Sequence, residues 1–287
     1  MKTKRVLAVH DLCSFGRCSL TAAIPVISAM GMQVCPLPTA FFSNNLTYGE
    51  FTFHDFTDKM TGFMDRWEKL GFRYDAVYSG FLASVEQIEV VRDAARRFAS
   101  REESLVVVDP AMGDDGKLYP VFGPEYVDAM RTLVKEATLI TPNFTEACFL
   151  LGESCGTAVP SSEALRAMTE KLAALGAKQV VITSVPAGEN EIKVVSFDSA
   201  AGEYAERTTP RIPFTTCGTG DLFTSVVTGS LLQGDSLPIA LDRAVQFILQ
   251  GIRATFGYQH DNREGILLER VLPNLRMPIQ ISSYELA

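Results

Sequence analysis

Short runs of aliphatic and β-branched residues recur along the chain, and almost every one is followed by a stretch with helical spacing. Residues 105–108, and 179–183 between its end residues Gln179 and Thr183, are apolar with no polar alternation, the pattern of a strand buried on both faces. Such a strand needs helices above and below it, and helices inserted between successive strands force parallel pairing. The alternation therefore predicts a mostly parallel sheet covered by helices. Strands are expected at 6–9, 32–37, 75–78, 105–108, 138–140 and 179–183. Helices are expected at 20–30, 58–70, 85–98, 124–135, 143–151, 161–175, 219–232 and 239–255. The rhythm changes once, where 192–197 and 203–208, joined through Ser199-Ala200-Ala201-Gly202, read as an antiparallel hairpin at the sheet edge. Residues 41–54 mix polar and aromatic side chains without a helical period, which predicts a loop or small strand pair. With 287 residues, 47% of them hydrophobic, the chain suffices for one large α/β core. No Pro-, Gly- or Ser-rich linker divides it.

The chemistry concentrates in Thr215-Thr216-Cys217-Gly218-Thr219-Gly220-Asp221, which runs directly into an apolar helical pattern. Two glycines before a helix let the backbone turn tightly and leave N–H groups aimed at one point, where the helix dipole also favours an anion. A carboxylate built into such a nest repels a bound phosphate unless it serves to accept a proton from a hydroxyl attacking that phosphate. Asp221 is therefore a candidate general base, with ordinary helix capping and a metal role as the competing readings.

Ligands of open α/β sheets bind outside the carboxyl ends of the strands. His10-Asp11, Ser79-Gly80-Phe81, Asp109-Pro110, Asn143 with Glu146, and Thr183-Ser184 all follow predicted strands. Asp109 reads either as a strand-end turn residue or as a carboxylate facing magnesium or its waters. Glu146, three residues after Asn143, has the spacing of a capping box and also suits a water-mediated magnesium role. His10 is a candidate substrate contact. Asp114 and Asp115 with Gly116 read as a solvated turn, His54 and His260 as loop residues, and Trp67 as packing.

Composition removes several alternatives. A net charge of -8 with scattered Lys and Arg gives no footprint for nucleic acid or an anionic membrane. No apolar run reaches the ~18 residues of a membrane span, and no cleavage-type segment precedes the first strand, so a soluble cytoplasmic protein is expected. The six cysteines lack CxxC or zinc spacing and read as free thiols, with Cys217, beside a helix N-terminus, the one position where a lowered pKa is conceivable. GxxxxGK[ST], GxSxG and a GxGxxG after the first strand are all missing.

Five blocks together resemble the pyridoxal kinases of the ribokinase-like superfamily and their hydroxymethylpyrimidine kinase relatives: residues 40–49 (Ala-Phe-Phe-Ser-Asn-Asn-Leu-Thr-Tyr-Gly), 79–82, 108–113, 141–146 and 217–221. The likeness covers nearly the whole chain. It implies one ribokinase-like kinase domain over 1–287, a three-layer α/β/α sandwich with a mostly parallel sheet, an antiparallel edge extension and a substrate flap around 41–54. It further implies a homodimer that transfers the γ-phosphate of ATP to a primary hydroxyl, with Mg2+ and room for K+. By resemblance Asp221 is the base, and Cys217, Gly218, Thr219 and Gly220 form the anion hole. Asp109 and Glu146 organise magnesium, and Asp109, Thr141, Asn143, Glu146, Thr183, Ser184, Arg211 and Phe214 border the nucleotide. His10, Asp11, Phe42, Ser43, Leu46, Tyr48 and Phe81 face the substrate.

Three positions depart from the usual pyridoxal kinase pattern. Asp11 stands where a serine contacts the pyridine ring, Leu46 where a threonine lies in the flap, and Phe81 where a tyrosine is common. Asp11 is expected to pair with a protonated ring nitrogen or exocyclic amine, while Leu46 and Phe81 supply apolar contact. A vitamin B6 vitamer is the first expectation and hydroxymethylpyrimidine the second. A sugar kinase is opposed by Phe41, Phe42, Tyr48 and Phe81, and a noncatalytic nucleotide- or vitamin-binding protein is the reading from outside enzymology.

Overall fold

The computed structural model describes residues 3–278 apart from 100, 157 and 259. Eleven strands lie among them: β1 Arg5–Cys13, β2 Gln33–Phe42, β3 Phe53–Asp55, β4 Ala76–Ser79, β5 Leu105–Val108, β6 Gly113–Asp114, β7 Lys117–Leu118, β8 Leu139–Ile140, β9 Gln179–Pro186, β10 Glu191–Asp198 and β11 Glu203–Pro210. The α-helices are α1 Ser19–Ala29, α2 Thr57–Lys69, α3 Val85–Phe98, α4 Pro124–Val134, α5 Phe144–Leu151, α6 Ser162–Ala174, α7 Thr219–Gln233, α8 Leu237–Phe256 and α9 Leu268–Val271. Nine strands form one sheet in the order β11-β10-β9-β8-β5-β4-β1-β2-β3. Neighbours from β9 through β2 pair in parallel, and β3, β10 and β11 add antiparallel edges.

Side chains alternate across a strand, so a strand covered on both faces sends successive residues into two different cores. In β4, Val77 joins the core on one side while Ala76 and Tyr78 join the other; in β5, Val106 and Val108 oppose Val107. The first core takes the apolar stripes of α2 through α6, including Met60, Ile88, Val91, Met130 and Leu165. The second takes α1, α7 and α8, including Val26, Leu222, Val226 and Leu241. This is the α/β/α sandwich expected from the sequence. Trp67 packs against the first core beside Phe63, Tyr74 and Phe98.

Several boundaries differ from the sequence reading. β1 runs on to Cys13 through a register shift between His10 and Leu12, so His10 and Asp11 lie inside the strand instead of after it. β9 likewise continues to Pro186 and contains Thr183 and Ser184. β2 reaches Phe42 and pairs with the short β3, so 41–54 is part strand pair, placed at the sheet edge, and His54 sits in a strand. Between them Leu46–Tyr48 forms one 3-10 turn, capped by the Asn45 side chain accepting from the Thr47 N–H at 3.0 Å. The small β6–β7 hairpin and α9 carry too few apolar residues to show a period.

Candidate active site

α7 starts at Gly218, whose φ of 80° is left-handed and whose lack of a side chain leaves the first-turn N–H groups uncapped. A Cβ there would stand 2.2 Å from the Arg17 carbonyl oxygen, so the close approach of the loop before α1 also demands glycine. Gly218→Ala is therefore expected to cost about 3 kcal/mol, from left-handed strain plus backbone overlap. A shift of the urea midpoint measures it; an unchanged midpoint would mean that the 215–218 loop can re-form without this approach.

Asp221, in that first turn, is held by two donors. One carboxylate oxygen stands 3.0 Å from His10 Nε2, and the other accepts the Ser19 backbone N–H at 2.7 Å. Ser19 reaches it from a left-handed φ of 55°, a conformation costing about 1–3 kcal/mol for a residue other than glycine. The Tyr78 hydroxyl donates to the Asp221 backbone carbonyl at 3.4 Å. Burial pushes the Asp221 carboxyl up, but the His10 charge and the two hydrogen bonds outweigh it and hold the group below the usual carboxylate range. His10 is opposite: burial pulls it down, yet Asp221 and Asp11 raise it to about 10. The pair is thus imidazolium and carboxylate at neutral pH.

Asp109 also comes up to the glycines, its Oδ2 3.8 Å from where a Cβ on Gly220 would sit. The Thr224 hydroxyl donates to that oxygen at 3.3 Å and shares a 2.8 Å bond with the Thr141 hydroxyl. Burial, then the charge of Asp221, pushes Asp109 up to about 7. The two carboxylates beside the nest are therefore driven apart, one firmly ionised and one reluctant, the usual mark of division of labour between acids.

Glu146 is buried with both oxygens engaged, accepting the Asn143 N–H at 2.8 Å and the Met112 N–H at 3.1 Å. In return the Glu146 N–H donates to Asn143 Oδ1, completing the capping box of α5. Burial, then Asp109, pushes Glu146 well above its ordinary range. The Asn143 amide also donates to the Gly113 carbonyl and to Asp114, which stays exposed with Asp115 and Gly116 at the β6–β7 turn, the solvated turn that was expected.

The 41–54 segment is fastened to the nest. The buried Asn45 amide donates to the Arg263 carbonyl at 2.7 Å, and the Cys217 thiol donates to the same oxygen at 3.1 Å. Tyr48 lies edge-on to Phe15 and under the Arg263 guanidinium, 4.4 Å from ring centre to Cζ. Phe42 is buried against Cys13 and Cys18, Ser43 bonds Asn44, and Leu46 is exposed. Phe81 packs beside Phe122, its carbonyl accepting weakly from Thr39. The Cys217 thiol does not follow the expectation of a lowered pKa: a hydrogen bond with Cys18, burial and the nearby Asp221 all push it up. All six cysteines are free.

Among the residues that the resemblance assigned to the nucleotide, Thr183 donates its N–H to the Pro142 carbonyl, and the exposed Ser184 holds a left-handed φ of 57°. Arg211 and Phe214 follow β11, Arg211 exposed and Phe214 edge-on to Phe256. Sequence reasoning missed Thr224, Tyr78 and Ser19. Thr224 had a signal, since three residues after Asp221 is the same helix face. The Ser19 backbone strain and the Tyr78 bond had none.

The phosphomethylpyrimidine kinase family profile matches residues 15–265. A pyridoxine/pyridoxal/pyridoxamine kinase of Bordetella avium is 31% identical over 265 residues, covering 87% of this chain and 85% of the relative. A crystal structure with pyridoxal of a Bacteroides thetaiotaomicron protein, assigned provisionally as a phosphomethylpyrimidine kinase, superposes with a TM-score of 0.96 at 51% identity and covers 100% of both chains. Pyridoxal kinase from Lactobacillus plantarum superposes with a TM-score of 0.87 at 31% identity, covering 96% and 97%.

Proposed function

The chain belongs to the phosphomethylpyrimidine kinase family, and on that footing we propose that it transfers the γ-phosphoryl group of ATP to the 5′ primary hydroxyl of a vitamin B6 vitamer: pyridoxal, pyridoxine or pyridoxamine. It is a phosphotransferase with an alcohol acceptor. The observation that carries the reaction is an ionised carboxylate, Asp221, in the uncapped first turn of α7. A carboxylate oxygen accepts more than one bond, so Asp221 keeps lone pairs for a substrate hydroxyl after His10 and Ser19 are served. As that hydroxyl attacks, Asp221 takes its proton while the N–H groups from 218 to 221 hold the migrating phosphoryl. The vitamer assignment draws support from the pyridoxal held by the 51% identical Bacteroides protein. The family's name favours hydroxymethylpyrimidine as the second reading.

The donor set near the nest suits magnesium, which binds through one or two carboxylates plus phosphate oxygens. Asp109 fits, being a buried carboxylate whose protein partner at contact is a hydroxyl. Glu146, with both oxygens on backbone N–H groups, would act at one remove, through water. Magnesium, when bound, neutralises charge on the phosphates. Thr141, Asn143, Thr183, Ser184, Arg211 and Phe214 are assigned to the nucleotide, and Phe42, Ser43, Leu46, Tyr48 and Phe81 to the ring. The chain is read as one kinase domain whose flap, 41–54, excludes water from the transfer.

We assign a homodimer, because the edge strand β3 is exposed along its length and Phe41, Phe51, Phe53 and Phe63 stand exposed around it, an aromatic sheet edge of the kind proteins cover. Light scattering should return twice the monomer mass, and a monomer at micromolar concentration would remove the assignment. A cytoplasmic setting is favoured by six unpaired thiols. No helix among the described residues is long and apolar enough to cross a membrane.

The deciding experiment supplies the purified protein with magnesium and ATP and, separately, each vitamer and hydroxymethylpyrimidine, with products identified by mass. Efficient formation of a 5′-phosphorylated vitamer is expected. Turnover confined to the pyrimidine would transfer the assignment to the second reading.

A further inference from the structure

We propose that Asp11, His10 and Asp221 work as one unit, in which Asp11 orients His10 and His10 is a positioning residue for the base, so that Asp11 serves the reaction and does not recognise the substrate ring. The inference rests on the kinase reading given above.

The geometry leaves Asp11 little else to do. It is buried, with 4% of its surface exposed, and both oxygens are engaged: Oδ1 lies 2.8 Å from His10 Nδ1, and Oδ2 accepts the Cys13 thiol at 3.4 Å. The Asp11 N–H also lies 2.9 Å from Nδ1, a contact that would suit a bare nitrogen. A carboxylate on each ring nitrogen favours the doubly protonated ring instead, donating from Nδ1 to Asp11 and from Nε2 to Asp221.

The ring is fixed from its face as well. A Cβ on Gly80 would stand 2.0 Å from both Nε2 and Cδ2, so glycine at 80 is the condition for this imidazole position. His10 is closed to solvent, its side chain 2% exposed, whereas the Asp221 side chain retains 16%. The open part of the base is therefore the part that His10 and the Ser19 N–H leave free. Two fixed donors hold the carboxylate plane, and a base held in plane presents its remaining lone pairs in one direction. Loss of such placement by about 1 Å lowers rates on the order of 100-fold. His10 also puts a fixed cation where Asp221, Asp109 and the phosphates gather negative charge.

The test is steady-state kinetics of the full chain with magnesium, ATP and pyridoxal. An inert wild type would fail the functional reading itself, and an active one makes the variants informative. His10→Gln is expected to lower kcat about 100-fold, with both KM values within about threefold of wild type. Asp11→Asn, which keeps shape and loses charge, should lower kcat about tenfold in the same pattern. Because His10 acts through Asp221, adding His10→Gln to Asp221→Asn should cost nothing further, as expected for residues that act as a unit. A raised KM for pyridoxal at unchanged kcat in Asp11→Asn would make Asp11 a ring contact and overturn the proposal. Fully multiplicative losses in the double variant would also overturn it. Should His10→Gln fail to fold by circular dichroism, the KM and kcat of Asp11→Asn decide alone, with unaltered kinetics counting against the unit.

Discussion

Asp221→Asn is expected to lower kcat about 1,000-fold, the range for removal of a general base, while ATP binding stays close to wild type. The amide is isosteric, and its oxygen can still accept the Ser19 N–H that reaches the carboxylate at 2.7 Å. Its NH2 group would face His10 Nε2, which can then lose its proton and accept. The fold and the nest should therefore survive, because Gly218 and the first-turn N–H groups owe nothing to the side chain at 221. What disappears is the carboxylate beside the nest that is held below its usual range, whereas the neighbouring carboxylate, Asp109, is pushed up to about 7. Isothermal titration with a nonhydrolysable ATP analogue measures the binding arm, and product formation by mass measures turnover. Turnover within threefold of wild type, an effect of under about 1 kcal/mol, would remove Asp221 as base. A joint collapse of turnover and nucleotide binding would instead assign it to the phosphate site.

Why Asp221 was visible in the sequence and its partners were not is a matter of range. The nest is local: two glycines, a carboxylate and a helical pattern within seven residues, each with a conformational meaning. The strands at 105–108 and 179–183 were visible for a similar reason, because a strand covered on both faces leaves an apolar run, here Leu105 to Val108 and Val180 to Ile182. The His10–Asp221 contact joins positions 211 apart, and it depends on the register shift between β1 and β2 and on missing atoms at Gly80. No periodicity encodes either. The same gap explains Asp11, whose neighbour in sequence, His10, turns out to be its partner in space, which is unusual in a regular strand and arises at the register shift. Glu146 shows the opposite case: its spacing from Asn143 allowed both capping and magnesium, and the folded chain satisfies the cap outright. For Cys217, the helix N-terminus argued for a more acidic thiol, but neighbouring thiols and Asp221 outweigh the dipole.

Between pH 6.5 and about 10 the protein is expected to lose stability through His10, and the loss should shrink sharply in Asp221→Asn. The folded-state pKa of His10 lies above its unfolded value, raised from 6.5 to about 10. The folded protein thus binds more protons than the unfolded chain in that window, so stability falls as pH rises. The contribution is complete below pH 6.5, where both states are protonated, and absent above about 10, where neither is. Each tenfold difference in proton affinity between the folded and unfolded ring is worth about 1.4 kcal/mol, so the full effect is on the order of 5 kcal/mol, a large part of a typical folding free energy. Asp221 itself does not blur the window. Its pKa is depressed, so its contribution is present above the ordinary carboxylate value and is lost only as pH falls below it. Burial pushes several tyrosines and thiols up on folding as well, so through them too stability is lost as pH passes their unfolded values, which is why the comparison with Asp221→Asn matters more than the wild-type slope. That variant removes the largest of the influences that raise His10 and leaves burial, which pulls the other way. Urea unfolding at pH 6, 8 and 10 gives the slope for each protein. Parallel slopes would mean that His10 is neutral beside Asp221 in the folded state, and the base would then be held by a hydrogen bond alone, without the cation.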